Sequence, residues 1–350
     1  MKLATTAIAL MAFGVAVAAA RAEVPAIGVV APLSGESEML GKQVVAGAQA
    51  AAGGARVEIA DDRCTAEGGA EAAREFVAAK VRFVVGFLCT ESIEAALPIL
   101  KQAGIPTITP GVRTDSLTDR REKTGWLVYR LAPRADAEGK AIANLLVPLW
   151  RDSLFAIIDD GTIYGRDLAE TFRAAAENKA LKPVFFDTYR PQMENQIGLI
   201  GRLRRAGATN VMVGGDRDDV AVMARDAAAL GARMTFAGGE VLRSASNGVP
   251  LPAGTLMVGL PEWSEIADPA ILPKIKQSGI LPEGYFLPSY AAMQIALAAA
   301  SSAGSGSPVL TGPFATALGE IRFDQKGDLV DNPYRLFRFD GSRFVSLESQ

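Results

Sequence analysis

Thr90 stands where two sequence patterns meet that together could hold an anion. Before it, Val81, Phe83, Val84 and Val85 form an apolar, mostly β-branched run broken only by Arg82. That run predicts a strand in the middle of a sheet. After it, Ile93, Ala96, Leu97 and Leu100 recur at helical spacing over 91–102, with Pro98 placed to kink the helix. Thr90 falls at the N-cap of this helix. The first amides of a helix have no acceptor within it, so a hydroxyl beside them suits a carboxylate.

Other chemistry is excluded by what is missing. The 350 residues contain no histidine, which removes Ser-His-Asp and Cys-His catalysis, His-based zinc sites and imidazole proton shuttles. No glycine-rich phosphate motif follows a predicted strand, which argues against dinucleotide and nucleotide phosphates. Asp61-Asp62 and Asp159-Asp160 could be offered as metal ligands, but paired acids at strand ends are more often turn or capping residues. Asp216-Arg217-Asp218-Asp219 reads in the same way, as a helix start with acids near its positive end. No metal or cofactor is expected. The net charge of -3, without a basic cluster, argues against nucleic acid as a partner.

The beginning of the chain predicts export. Lys2 precedes an unbroken run of small and apolar residues over 3–20, and Ala20-Arg21-Ala22 fits the rule for leader cleavage. Residues 1–22 are therefore expected to be a signal peptide cleaved after Ala22, leaving a periplasmic protein. In an oxidising compartment two cysteines, Cys64 and Cys89, suggest one structural disulfide. A reactive thiol pair is the rival, but there is no C-x-x-C spacing and no histidine to activate either sulfur.

The elements that must position Thr90 alternate along the chain. Strands are predicted over 26–31, 56–60, 81–85, 105–109 and 127–131, with helices over 41–52, 66–80 and 91–102 between them. The alternation then restarts. Helices over 135–146, 164–176, 195–205 and 218–230 intersperse with strands over 154–158, 183–186, 210–213 and 234–237. This order requires parallel sheets with helices on both faces, in two units of similar size. Sites in such sheets lie beyond the carboxyl ends of the strands, so Ser34, Thr90 and Gly111 should converge. Gly161, Gly215 and Glu240 mark the corresponding ends in the second unit. Tyr164, in a first helical turn, is open between a surface-packing residue and a cleft aromatic. The last third is less regular. It holds a strand over 255–260, a long helix over 285–301, a Ser/Gly loop over 302–308 and a hairpin-like tail over 321–344.

Seven segments, in order and spacing, resemble the periplasmic leucine/isoleucine/valine-binding proteins, the solute receptors of branched-chain amino acid ABC transporters. They are IGVVAPLSG at 27–35, DDRC at 61–64, VVGFLCT at 84–90, ITPGVRTDSLT at 108–118, DDGTIYG at 159–165, FAGGE at 236–240 and FDQKGDL at 323–329. The likeness spans nearly the whole mature chain. It implies an α/β type I periplasmic-binding fold, in which two doubly wound lobes are joined by a three-crossing hinge and a ligand is held between them. Crossings would fall near Leu131, Leu260 and Asp331. Lobe 1 would then comprise 23–131 plus 261–331, and lobe 2 132–260 plus 332–350. The resemblance also implies that Cys64 and Cys89 are the family's disulfide pair.

Ligand roles follow from the resemblance position by position. Thr90 matches the hydroxyl residue that helps hold a ligand carboxylate, and Gly111 a residue whose backbone contacts the ligand, with Val112 beside it. Tyr164 and Glu240 match the aromatic wall and ammonium partner of the second lobe, and Tyr285 an aromatic of the side-chain pocket. The sequence departs from the pattern at three places. Arg113, with Thr114 next to it, replaces a second hydroxyl, Asp216 replaces a tyrosine, and Leu40 replaces an aromatic. An unpaired cation and anion in a closed cleft would be costly. Arg113 and Asp216 are therefore expected either to pair as a latch on closure, to contact a polar ligand, or to point to solvent. The implied function is a non-enzymatic receptor for an amino acid, amide or carboxylic acid, delivering it to an inner-membrane ABC permease. The competing function is a ligand sensor of the same fold.

Overall fold

In the computed structural model, residues 25–277, 283–302 and 310–347 are described. The expected leader over 1–22, and all but the first residue of the loop expected over 302–308, lie outside them. Five parallel strands form the first sheet in the order β2-β1-β3-β4-β5. They are β1 Ala26–Ala31, β2 Arg56–Asp61, β3 Phe83–Gly86, β4 Thr107–Thr109 and β5 Val128–Arg130. The central strands β1 and β3 are buried along their whole length, as their unbroken apolar runs require.

The second sheet contains the parallel strands β6 Phe155–Asp159, β7 Phe185–Thr188, β8 Asn210–Gly214, β9 Thr235–Gly238 and β10 Leu256–Gly259. A small antiparallel pair, β11 Phe314–Thr316 and β12 Gly319–Ile321, stands apart. The tail strands β13 Arg335–Phe339 and β14 Phe344–Ser346 then add antiparallel to β10, giving the order β14-β13-β10-β9-β8-β6-β7.

The chain passes between the two sheets three times: after β5, after β10 and before β13. The helix Phe286–Ser302 shows the second passage. Its Ala291, Ala292, Ile295 and Ala296 are fully buried in one cluster with Ile27, Val29 and Phe83 of the first sheet. This helix is apolar on all sides because sheet and neighbouring helix enclose it. Periodicity announced the helix but not which sheet it would cover. One-turn elements that carry no periodicity were not anticipated, among them Ser116–Asp119, Trp263–Ile266 and the 3-10 turn Glu240–Arg243. Pro98 interrupts nothing: the helix runs continuously over Thr90–Gln102. No helix among the described residues is long and apolar enough to cross a membrane.

Candidate ligand-binding site

β3 leaves the first sheet through a tight bend. Gly86 has φ +133, and a Cβ there would lie 1.9 Å from the carbonyl oxygen of Val30, so only glycine fits. Phe87 follows at φ 64, fully buried, with its carbonyl accepting from Thr109 Oγ1 at 3.0 Å. Cys89 is disulfide-bonded to Cys64 across 25 residues, with Cα atoms 5.2 Å apart. Closing a loop of that size stabilises by about 3 kcal/mol in the chain-entropy model. The acid pair next to Cys64 acts as turn chemistry. Asp61 accepts from the Leu33 and Arg63 amides, and buried Asp62 from Ser92 Oγ at 2.6 Å and the Cys64 amide at 3.1 Å. Asp159 and Asp160 likewise accept from the Gly161 and Thr162 amides.

The N-cap is Cys89 and not Thr90. Cys89 has the extended backbone of a cap (φ -117, ψ 134), and Thr90 is already the first helical residue. The cap position therefore does not fall to Thr90. The Thr90 hydroxyl pairs with Thr114 Oγ1 at 2.9 Å, so two hydroxyls from different loops meet at the helix start. Thr114 is held by Arg130, whose Nη1 donates to its carbonyl at 2.6 Å. Gly111 lies between Leu88 and Tyr285, where an added Cβ would come within 2.3 and 3.2 Å of their side chains. Tyr285 is fixed through its amide, which donates to Gln43 Oε1 at 3.1 Å.

Arg113 connects this wall to residues beside the second sheet. Its carbonyl accepts from the Ala135 amide at 2.8 Å, and its Nη2 donates to the hydroxyl of Tyr334, just ahead of β13. Its guanidinium also lies 5.9 Å from the centre of the Tyr334 ring. Burial works against its charge, but the Tyr334 oxygen and then the Glu240 and Glu138 carboxylates outweigh it, raising its pKa above the ordinary value. Tyr334 in turn donates to Glu240 Oε2 at 3.4 Å.

Glu138, on the helix Ala137–Leu149, is 7% exposed, and its Oε1 accepts from the Glu240 amide at 2.6 Å and from Tyr164 Oη at 2.9 Å. Burial pushes its carboxyl above the usual range, although both hydrogen bonds favour the ionised form. Gly239 makes the approach possible, since a Cβ would lie 2.3 Å from both Glu138 Oε1 and Tyr164 Oη.

Thr90, Gly111, Arg113, Thr114 and Tyr285 are thus linked to one another or to shared neighbours, and Arg113 reaches the Glu240–Tyr164 group. Val112 and Asp216 turn their side chains elsewhere, Asp216 in line with the solvent-facing alternative. Val112 is 2% exposed and packs in the core with Leu117 and Val128, because its alternation along the loop turns it inward; its amide donates to Thr109 Oγ1 at 3.1 Å. Asp216 is exposed, and its carboxylate accepts from the Arg217 amide at 2.7 Å, capping the helix Arg217–Ala229. Arg113 is joined to Tyr334 and not to Asp216, whose charge is felt by Tyr189 and Asp219. Leu40 is 41% exposed on the helix Glu38–Ala51. Glu138 and Tyr334 were not anticipated. The one signal for Glu138 is an acid on a helix whose neighbours Ala141 and Ile142 are apolar.

Three comparisons agree with this architecture. A family model described as periplasmic binding protein matches residues 25–342. The Leu/Ile/Val-binding protein homolog 1 of Brucella suis is 30% identical over 336 residues, covering 90% of each chain. A solved ABC transporter substrate-binding protein from Desulfitobacterium hafniense, in complex with Leu, superposes with TM-score 0.64 at 20% identity, over 92% of this chain and 99% of that one. A solute-binding protein of Rhodopseudomonas palustris in complex with p-hydroxybenzoic acid gives TM-score 0.60 at 18% identity, over 92% and 95%. The two-sheet, three-passage architecture is that of the type I periplasmic binding proteins, and the chain belongs to this family in its leucine/isoleucine/valine-binding branch.

Proposed function

We propose that the chain is an exported, non-enzymatic receptor that closes on a small carboxyl-bearing or amide solute and hands it to an inner-membrane ABC permease. The observation that carries this is the position of Arg113. It follows the end of β4 in the first sheet and donates to Tyr334, while the Glu240 and Glu138 carboxylates act on its charge; all three are placed by elements of the second. A ligand between those groups would touch both units. Its carboxylate end would face Thr90, Thr114 and the Gly111 backbone, and its body would face Tyr285 and Tyr164. Contacts from both sides shift an open–closed equilibrium toward closure, because only the closed state offers them together.

In this reading lobe 1 comprises 23–131 plus 261–331 and lobe 2 132–260 plus 332–350. The three passages between sheets support those bounds. Sequence relatives named for Leu/Ile/Val binding and structures named as ABC transporter substrate-binding proteins support the solute class and the permease partner. The periplasmic location rests on the leader pattern over 1–22 and on the family. The test is a thermal-shift screen of the mature chain over amino acids, their amides, and aliphatic and aromatic acids. A bound ligand raises stability by RT ln(1 + [L]/Kd), so a ligand at a hundred times its Kd adds about 2.7 kcal/mol. A stabilising compound is expected from this set, and a flat response to all of it would overturn the proposal.

A further inference from the structure

The acids that would receive a ligand ammonium are already engaged by the chain itself. Glu240 Oε2 accepts from Tyr334 Oη, and its Oε1 lies 3.9 Å from Arg243 Nη1. Glu138 Oε1 accepts from the Glu240 amide and from Tyr164 Oη. Arg113 stands among them, and both Glu240 and Glu138 act on its charge. A receptor that waits for an ammonium should leave an acid facing the ligand and keep cations away from it. Here a fixed guanidinium occupies the neighbourhood an ammonium would enter, and like charges at short range in a closed site repel strongly.

The opposite wall is short of charge rather than supplied with it. Thr90 and Thr114 offer two hydroxyls that bond each other, and among the described residues no acid is hydrogen-bonded to either. Either hydroxyl can turn to donate to an incoming oxygen. Arg113 stands directly before Thr114 in the chain, and its guanidinium, donating to Tyr334, would favour a carboxylate over a neutral group.

We infer that this site selects a carboxylate that carries no ammonium group, held by the Thr90 and Thr114 hydroxyls and Arg113, with a neutral body against Leu88, Tyr285 and Tyr164. This rests on the receptor reading above and narrows its solute class. Arg113 is the specificity-determining residue, and Tyr334 positions it.

The test uses matched pairs that share a carbon skeleton: 4-methylpentanoate with leucine, and 3-phenylpropanoate with phenylalanine. Titration calorimetry on the mature chain at neutral pH is expected to give at least one acid a Kd tenfold or more below that of its amino acid. Equal or tighter binding of the amino acid would overturn this inference and leave the receptor reading standing. If every member of both pairs, and every acid in the wider screen, fails to bind, the inference and the carboxylate reading fall together. Arg113→Gln is expected to weaken the acid at least thirtyfold and reduce or reverse the preference within the pair, while Arg113→Lys keeps the preference. An Arg113→Gln protein that still prefers the acid by the same factor would also overturn the assignment.

Discussion

Two groups of arginines and acids, one around Arg130 and Arg134 and one around Arg113, are built in opposite ways. The first surrounds the first passage between the sheets. Arg130 is fully buried and meets Asp328 at 2.7 Å, while Arg134 meets the same carboxylate at 2.9 Å and also Asp119 and Asp136. Thr118 adds a hydrogen bond to Asp328 at 2.8 Å. The second group is Arg113 with Glu240 and Glu138, where contact runs mainly through tyrosine hydroxyls and a backbone amide. In the first group each charge is matched at contact distance, as a buried structural pair must be. In the second, charge is kept a hydroxyl's width away from charge, so an incoming ligand can compete for it. The two are coupled: Arg130 also holds the Thr114 carbonyl, so the structural pair fixes the loop that carries Arg113 and Thr114, residues of the proposed site.

The strongest way to break the comparison is at Asp328. Asp328→Ala leaves Arg130 buried without its counter-ion, and truncating one partner of such a pair costs about 3–5 kcal/mol. Chemical denaturation should show that loss in the wild-type background without any ligand. A cost under about 1 kcal/mol, the range of exposed pairs, would mean that the first group is not structural.

Arg113→Gln should act in the reverse sense. Loss of one charge-assisted hydrogen bond to a ligand costs about 2 kcal/mol, or roughly thirtyfold in Kd. Ligand-free stability should change less, because the group left without its direct hydrogen bond is a tyrosine and Glu138 keeps its hydrogen bonds from the Glu240 amide and Tyr164. Denaturation and calorimetry on the same variant check both parts.

Tyr334→Phe removes the hydroxyl between Arg113 and Glu240 and keeps the ring. A single hydrogen bond is worth about 1 kcal/mol, so a roughly fivefold weaker Kd is expected. An unchanged Kd would show that Tyr334 does not position Arg113.

The smallest effects are pH effects, and their signs differ between the two groups. Hydrogen bonds from Arg134 and then Lys326 hold Asp119 down to about 2, below its ordinary 3.8. Its stabilisation is present above the ordinary value and is lost as pH falls toward 2. Because Asp119 is largely solvent-exposed, the loss should be shallow. Glu138 is shifted upward by burial, so its contribution is full below its ordinary 4.5 and is lost as pH rises through the folded value. Melting temperatures measured from pH 2 to 7 should lose the lower limb in Asp119→Asn and the upper limb in Glu138→Gln.

Local signals carried much of the fold. The apolar runs at 26–31 and 83–85, and the helical stripe after Thr90, appear within a few residues of where the sequence places them. The disulfide partners are 25 residues apart and follow from there being only two cysteines. What was not legible depends on distant contacts. Arg113 and Tyr334 are 221 residues apart, and Glu138 and Glu240 are 102 apart. No periodicity encodes which tyrosine a loop arginine will meet after the chain has crossed between sheets. Asp216 illustrates the reverse case. Its reading as a helix-start acid needed only its neighbours and agrees with the cap it forms, whereas its proposed pairing with Arg113 needed the whole fold.

A crystal structure of the mature chain with its most stabilising compound is the most direct test of the central claim. The ligand is expected between the two sheets, with its carboxylate within hydrogen-bond distance of Thr90, Thr114 or Arg113 and its body against Tyr164 and Tyr285. A ligand seated elsewhere, for example in the groove of about 570 Å³ lined by Leu131, Trp263, Leu318 and Phe337, would contradict it.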